Sequence, residues 1–89
     1  MAEVRLDGML SEFVPRTSVR SPARSVGALL DDLETRFPRL RHRLRDETHR
    51  LRPFVRIFVN GQSVPPDEVG DRRLRSGDSV DILHSIQGG

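Results

Sequence analysis

Residues 25 to 38, SVGALLDDLETRFP, carry a helical apolar stripe with strand-like sequence on both sides. Val26, Leu29, Leu30, Leu33 and Phe37 recur at the spacing that puts them on one face of an α-helix. Asp31, Asp32 and Glu34 fall largely on the other side. Ser25 stands where an N-cap belongs, its hydroxyl able to accept an orphan backbone N–H. Pro38 stops the helix or bends it. A chain of 89 residues has a modest core. Without cysteine it has neither a disulfide staple nor a thiolate zinc site, so this stripe needs a sheet to cover it.

The flanking segments supply one. Val4 and Leu6 alternate with Glu3, Arg5 and Asp7, a half-buried strand pattern. A second short strand is predicted from Thr17 to Arg20, ending before Ser21-Pro22 and making an antiparallel hairpin with a long loop. Beyond the helix, in RLRHRLRDETHRLR (39–52), Leu40 and Leu44 anchor one or two turns against the core and the arginines stay in solvent. FVRIFVNG then reads as a strand, with Val55, Ile57 and Val59 on one face and Phe54, Arg56 and Phe58 on the other. Asn60-Gly61 is a hairpin signal because both residues tolerate positive φ. Gln62 to Val64 is a brief return strand, cut off by Pro65-Pro66. A short helical turn is predicted around Arg72 to Leu74, then a last strand from Ser79 to Leu83 with Val80 and Ile82 inward. The order is β-β-α-β-β-β. A helix between the hairpins excludes a simple meander. The predicted class is α+β, a β-grasp: a mixed sheet wraps one helix, with the terminal strands side by side in the middle. Residues 1–89 form a single domain, with 84–89 as a flexible functional tail.

Composition excludes several functions. No apolar stretch approaches the roughly 20 residues of a membrane span, and MAEVRLDGML lacks the pattern of a signal peptide. A cytoplasmic protein without membrane partners is the expectation. The net charge is +2, and every basic residue other than histidine is arginine. A GC-rich coding sequence accounts for the lack of lysine; so does avoidance of nucleophilic amines by a chain whose own C-terminus becomes acylating. The arginine-rich stretch Arg36 to Arg52 is interrupted by Asp46 and Glu47 and has no aromatic interleaving. It reads as a solvated face or a steering surface for an acidic partner, not a nucleic-acid site. His42 and His49 lack metal-ligand spacing, so no metal is expected. Asp31 and Asp32 are adjacent on the helix and point in different directions. Nothing assembles a nucleophile, a base and an oxyanion site, so the chain is not expected to be an enzyme on its own.

Three segments carry a resemblance: FVRIFVNG at Phe54–Gly61, LRSGDSVDIL at Leu74–Leu83, and the terminal Gly88-Gly89. With them the chain resembles the ubiquitin-like sulfur carriers of the MoaD/ThiS family. These include the small subunit of molybdopterin synthase, the thiamine sulfur carrier and the carrier used in cysteine biosynthesis. The first half matches in element order, and Pro38–Pro53 brings the chain nearest the cysteine-type (CysO-type) branch. His84-Ser85-Ile86-Gln87 departs from the proline and small residues that often precede the diglycine.

The resemblance implies that the Gly89 carboxylate is adenylated by a ubiquitin-activating-type enzyme and converted to a thiocarboxylate. ATP is consumed by that enzyme, and no cofactor is bound by the carrier. Gly88 and Gly89 lack the Cβ that would block entry to a buried nucleotide site. The reactive group is a carboxylate, so the diglycine is expected to be the true end. A sulfur-accepting synthase follows, making cysteine, molybdopterin, a thiazole or another sulfur-containing product, and a JAMM-type protease can trim such carriers. Phe58 and Leu83 are expected to point outward and, with Ile86, to form an apolar docking patch flanked by His84 and Gln87. The alternative for Phe58 is packing under Pro38–Pro53. Two other classes stay open: a modifier joined to lysines through Gly89, and a plain β-grasp interaction module.

Overall fold

The alternation of Val4 and Leu6 with charged residues places them on the buried face of β1 (Ala2–Gly8). The computed structural model describes residues 1–8, 10 and 18–84. β1 pairs antiparallel with β2 (Ser18–Ser21), the predicted hairpin, with the strand including Ser21; Thr17 lies outside the described residues. The chain then enters α1 (Val26–Arg36), whose N-cap Ser25 accepts a hydrogen bond from the Ala28 N–H at 3.1 Å. Val26, Leu29, Leu30 and Leu33 are completely buried, as the stripe requires. The helix stops at Phe37, whose N–H donates to the Leu33 carbonyl, and Pro38–Leu40 forms a short 3₁₀ turn.

β3 (Val55–Val59) and β4 (Gln62–Ser63) form the second hairpin around Asn60 and Gly61, at φ 51° and 83°. β5 (Ser79–His84) closes the sheet in the order β2-β1-β5-β3-β4. It runs parallel to β1 and antiparallel to β3. Registers align Val4, Val80 and Val59 in one inward row and Leu6, Ile82 and Ile57 in the next. These rows cover the helix stripe, and Leu40, Leu44, Val64, Val69 and Leu74 complete the core. This is the β-grasp arrangement, with the terminal strands adjacent in the middle.

Three expectations are corrected. Arg72 to Leu74 is not a helical turn; the 3₁₀ turn lies earlier, at Pro66–Glu68. Residues 72–74 instead run alongside the start of α1, where the Val26 N–H donates to the Arg72 carbonyl at 2.8 Å and the Leu74 N–H to that of Arg24. The first turn of a helix has unpaired N–H groups, and an extended carbonyl satisfies one of them. This contact is close: a Cβ on Gly27 would lie 2.7 Å from the Gly70 carbonyl oxygen.

The second correction concerns Arg45, which is buried at 7% exposure, not solvated. Its guanidinium meets Glu34 and Asp31 on the polar face of α1. The third concerns the tail. β5 continues through His84, which pairs with Gly8 and Val55, so the first residue assigned to the tail belongs to the sheet.

Candidate functional site

β5 is bonded on both sides, by β1 and by β3, and residues 85–89 follow it directly. Pull on those residues is therefore borne by two ladders. Among the predicted site residues, Phe58, Leu83 and His84 are described; Ile86, Gln87, Gly88 and Gly89 lie outside the described residues.

On the outer face of the sheet, away from α1, the register sets out rows of side chains. Arg5, Asp81, Phe58 and Ser63 form one row across β1, β5, β3 and β4. Asp7, Leu83 and Arg56 form the row nearest the exit of β5. Phe58 and Leu83 are thus diagonal neighbours on this face, about 7–8 Å apart. Each is half-buried, so the apolar surface they offer is smaller than a fully exposed pair would give.

The two rows differ in electrostatics. In the first, Arg5 Nε donates to Asp81 Oδ1 at 2.8 Å and its Nη2 to Oδ2 at 3.4 Å. That hydrogen bond, with the attraction between the charges, holds the Arg5 pKa above its ordinary value. In the second, Leu83 separates Asp7 from Arg56. Both charged residues are exposed, and neither enters a hydrogen bond or ion pair among the described residues.

His84 falls by alternation on the side of Val80 and Ile82, opposite Leu83. Its ring centroid lies 6.3 Å from that of Phe54, tilted by 57°. Among the described residues, its buried Nδ1 has no hydrogen-bond partner. Phe54 is 41% exposed. The sequence reading placed this aromatic on the outer face by alternation, yet it precedes β3 and gathers with His84 at the end of the sheet. Phe54, Asp7 and Arg56 were absent from the predicted site. Only the pairing of β5 with both neighbours brings them beside its exit. Among the described residues no group of three or more His, Cys, Asp or Glu side chains could hold a metal ion. None of their helices is long and apolar enough to cross a membrane.

The model of the ThiS family matches residues 4–89. The sulfur carrier protein CysO of Mycobacterium tuberculosis is 34% identical over 74 residues, 81% of this chain and 80% of that protein. In the crystal structure of the Amycolatopsis orientalis BexX/CysO complex, one chain covers all of this one and is itself wholly covered, with TM-score 0.86 and 26% identity. SAMP1 from Haloferax volcanii has TM-score 0.84 at 24% identity, covering 99% of this chain and 98% of its own, a likeness of fold alone.

Proposed function

Because the chain belongs to the ThiS family, we propose that it is a sulfur carrier whose working end is Gly89. The observation that carries this reading is the family match, which runs from β1 through the diglycine. The likeness to a mycobacterial sulfur carrier over most of both chains supports it.

The reaction uses the carboxylate of Gly89. A carboxylate oxygen attacks the α-phosphorus of ATP, pyrophosphate leaves, and an acyl adenylate forms. Hydrosulfide attacks the acyl carbon, the bond to the AMP oxygen breaks, and the products are the thiocarboxylate, AMP and a proton. The activating enzyme supplies the catalysis, and the carrier is its co-substrate. Gly88 and Gly89 make the tail narrow enough to enter a closed nucleotide site. β5 anchors the tail root between two strands, and Phe58, Leu83 and His84, with Ile86 and Gln87, meet the partner enzymes. A sulfur-accepting synthase then takes the sulfide. The solved Amycolatopsis orientalis BexX/CysO complex supports a protein partner for a carrier of this kind. A JAMM-type protease is a further proposed partner.

The test is intact mass after incubation with ATP, sulfide and the activating enzyme of the same organism. Replacement of one oxygen by sulfur, absent when Gly89 is deleted, is the expected result. An unchanged mass, with the enzyme active on another carrier, would leave a binding module. Adducts on lysines of other proteins without any sulfur gain would make the chain a modifier.

A further inference from the structure

We propose that the Asp7–Leu83–Arg56 row is a charge-coded docking strip that orients the activating enzyme over the root of the tail. This rests on the carrier reading above and names what the partner must present.

Three observations lead to it. First, the strip lies one residue before the end of β5, so an enzyme that takes up Gly89 must approach it closely. Residues 85–89 span at most about 17 Å when extended. Second, its charges form no ion pair among the described residues, although Asp7 also attracts the nearby Arg5 through space. The neighbouring row closes its own pair, Arg5 with Asp81, whereas Asp7 and Arg56 flank a leucine. Third, the register places Asp7 and Arg56 two strand spacings apart, roughly 10 Å between backbones, with Leu83 between them.

An acid, a half-buried apolar side chain and a cation in a line form a directional pattern. A partner fits it with a basic residue over Asp7, an apolar residue over Leu83 and an acidic residue over Arg56. The reversed orientation sets like charges against each other at both ends, which disfavours it strongly. The strip thereby fixes which way the tail is fed. The surface is protein-facing: the opposite charges leave no net potential for a polyanion or a lipid headgroup.

The experiment exchanges the two charges. The double variant Asp7→Arg with Arg56→Asp keeps the net charge, so long-range steering is preserved and only the local pattern inverts. Steady-state thiocarboxylate formation is followed with the activating enzyme of the same organism at low and high salt. The expected result is a KM at least about tenfold higher at low salt, with kcat within about twofold and the difference shrinking at high salt. The neutral pair Asp7→Asn with Arg56→Gln gives an intermediate KM, and stands in if the exchanged protein fails to fold. An unchanged KM in a natively folded variant overturns the docking strip while leaving the carrier reading intact. A fall in kcat that salt does not alter also overturns it, because that marks a structural effect. Failure of the wild-type chain to gain sulfur removes the carrier reading, and the strip with it.

Discussion

The Arg45 guanidinium grips both oxygens of the Glu34 carboxylate, Nε to Oε2 at 3.1 Å and Nη2 to Oε1 at 2.8 Å. Nη2 also donates to Asp31 Oδ1 at 2.6 Å. The hydrogen bond to Glu34 is the main reason the Arg45 pKa lies above its ordinary value. The clamp ties the segment after α1 to the polar face of that helix, above the apolar anchors Leu40 and Leu44. Arg45→Ala removes these charged hydrogen bonds. Glu34 is only partly exposed, but Asp31 can rehydrate freely. The expected loss is about 2 kcal/mol in urea unfolding. Arg45→Lys recovers only part of it, since an ammonium cannot match the two-oxygen grip.

Gly27 and Gly70 form a contrasting pair. Gly27→Ala gains roughly 0.8–1 kcal/mol of helix propensity. The new methyl would meet the Gly70 carbonyl oxygen at 2.7 Å and its Cα at 3.2 Å, both backbone. Displacing the segment beside α1 outweighs the gain, and a net loss of about 1–2 kcal/mol is expected. Gly70→Ala meets nothing within 4 Å. Its urea midpoint stays close to wild type.

Acid sensitivity is expected from Asp46 and Asp78. Asp46 accepts from the Thr48 hydroxyl and from the backbone N–H groups of Thr48 and Arg50. Asp78 accepts from the Arg75 N–H and the Asn60 amide. These bonds favour the carboxylates and hold both pKa values below the ordinary 3.8. A depressed folded pKa contributes stability that is present above the unfolded value and lost as pH falls through the folded one. Chemical-denaturation midpoints should therefore fall on acidification below 3.8, through the lowered values. The double variant Asp46→Asn with Asp78→Asn should show a shallower decline. An equal decline in that variant would place the acid sensitivity elsewhere.

Ile82 and Leu83 are neighbours with opposite duties. Ile82 is fully buried between Leu6 and Ile57, and Ile82→Ala should cost about 2–5 kcal/mol. Leu83 is half-buried on the outer face. Leu83→Ala should cost less than about 1 kcal/mol, while raising the KM for activation severalfold. Urea melts and activation kinetics on the same two variants separate the roles. A KM unaffected by Leu83→Ala would move the docking site off this face.

The sequence of 89 residues contains no lysine. Activated at Gly89, copies of it cannot build isopeptide-linked chains on one another. Incubation with ATP and the activating enzyme alone should yield no ladder of this chain's own copies joined through lysine on a denaturing gel. A ladder whose junction peptides join two copies of this chain through a side-chain amine would contradict this chemistry.

Much of the fold was legible in local patterns. The helix period of α1, the alternation in β1, β3 and β5, the Ser25 cap and the Asn60-Gly61 turn each depend on residues a few positions apart. The two faces of β3 and of β5 followed from the same alternation, which put Phe58 and Leu83 outward before any contact was known. The sequence by itself thus determined the main helix and the strands and which side of each is buried, but not where the short turn after β4 lies. Only the tertiary structure decided what lies beside what. Asp7 meets Leu83, and Leu83 meets Arg56, because a central strand joins the two ends of the chain; no local period encodes that register. Arg45 is buried because two carboxylates on another element wait for it, whereas its neighbours in sequence look identical on composition. Residues 72–74 run extended because the first turn of α1 needs an acceptor for its N–H. In each case the deciding partner is distant along the chain, and folding brings it within bonding distance.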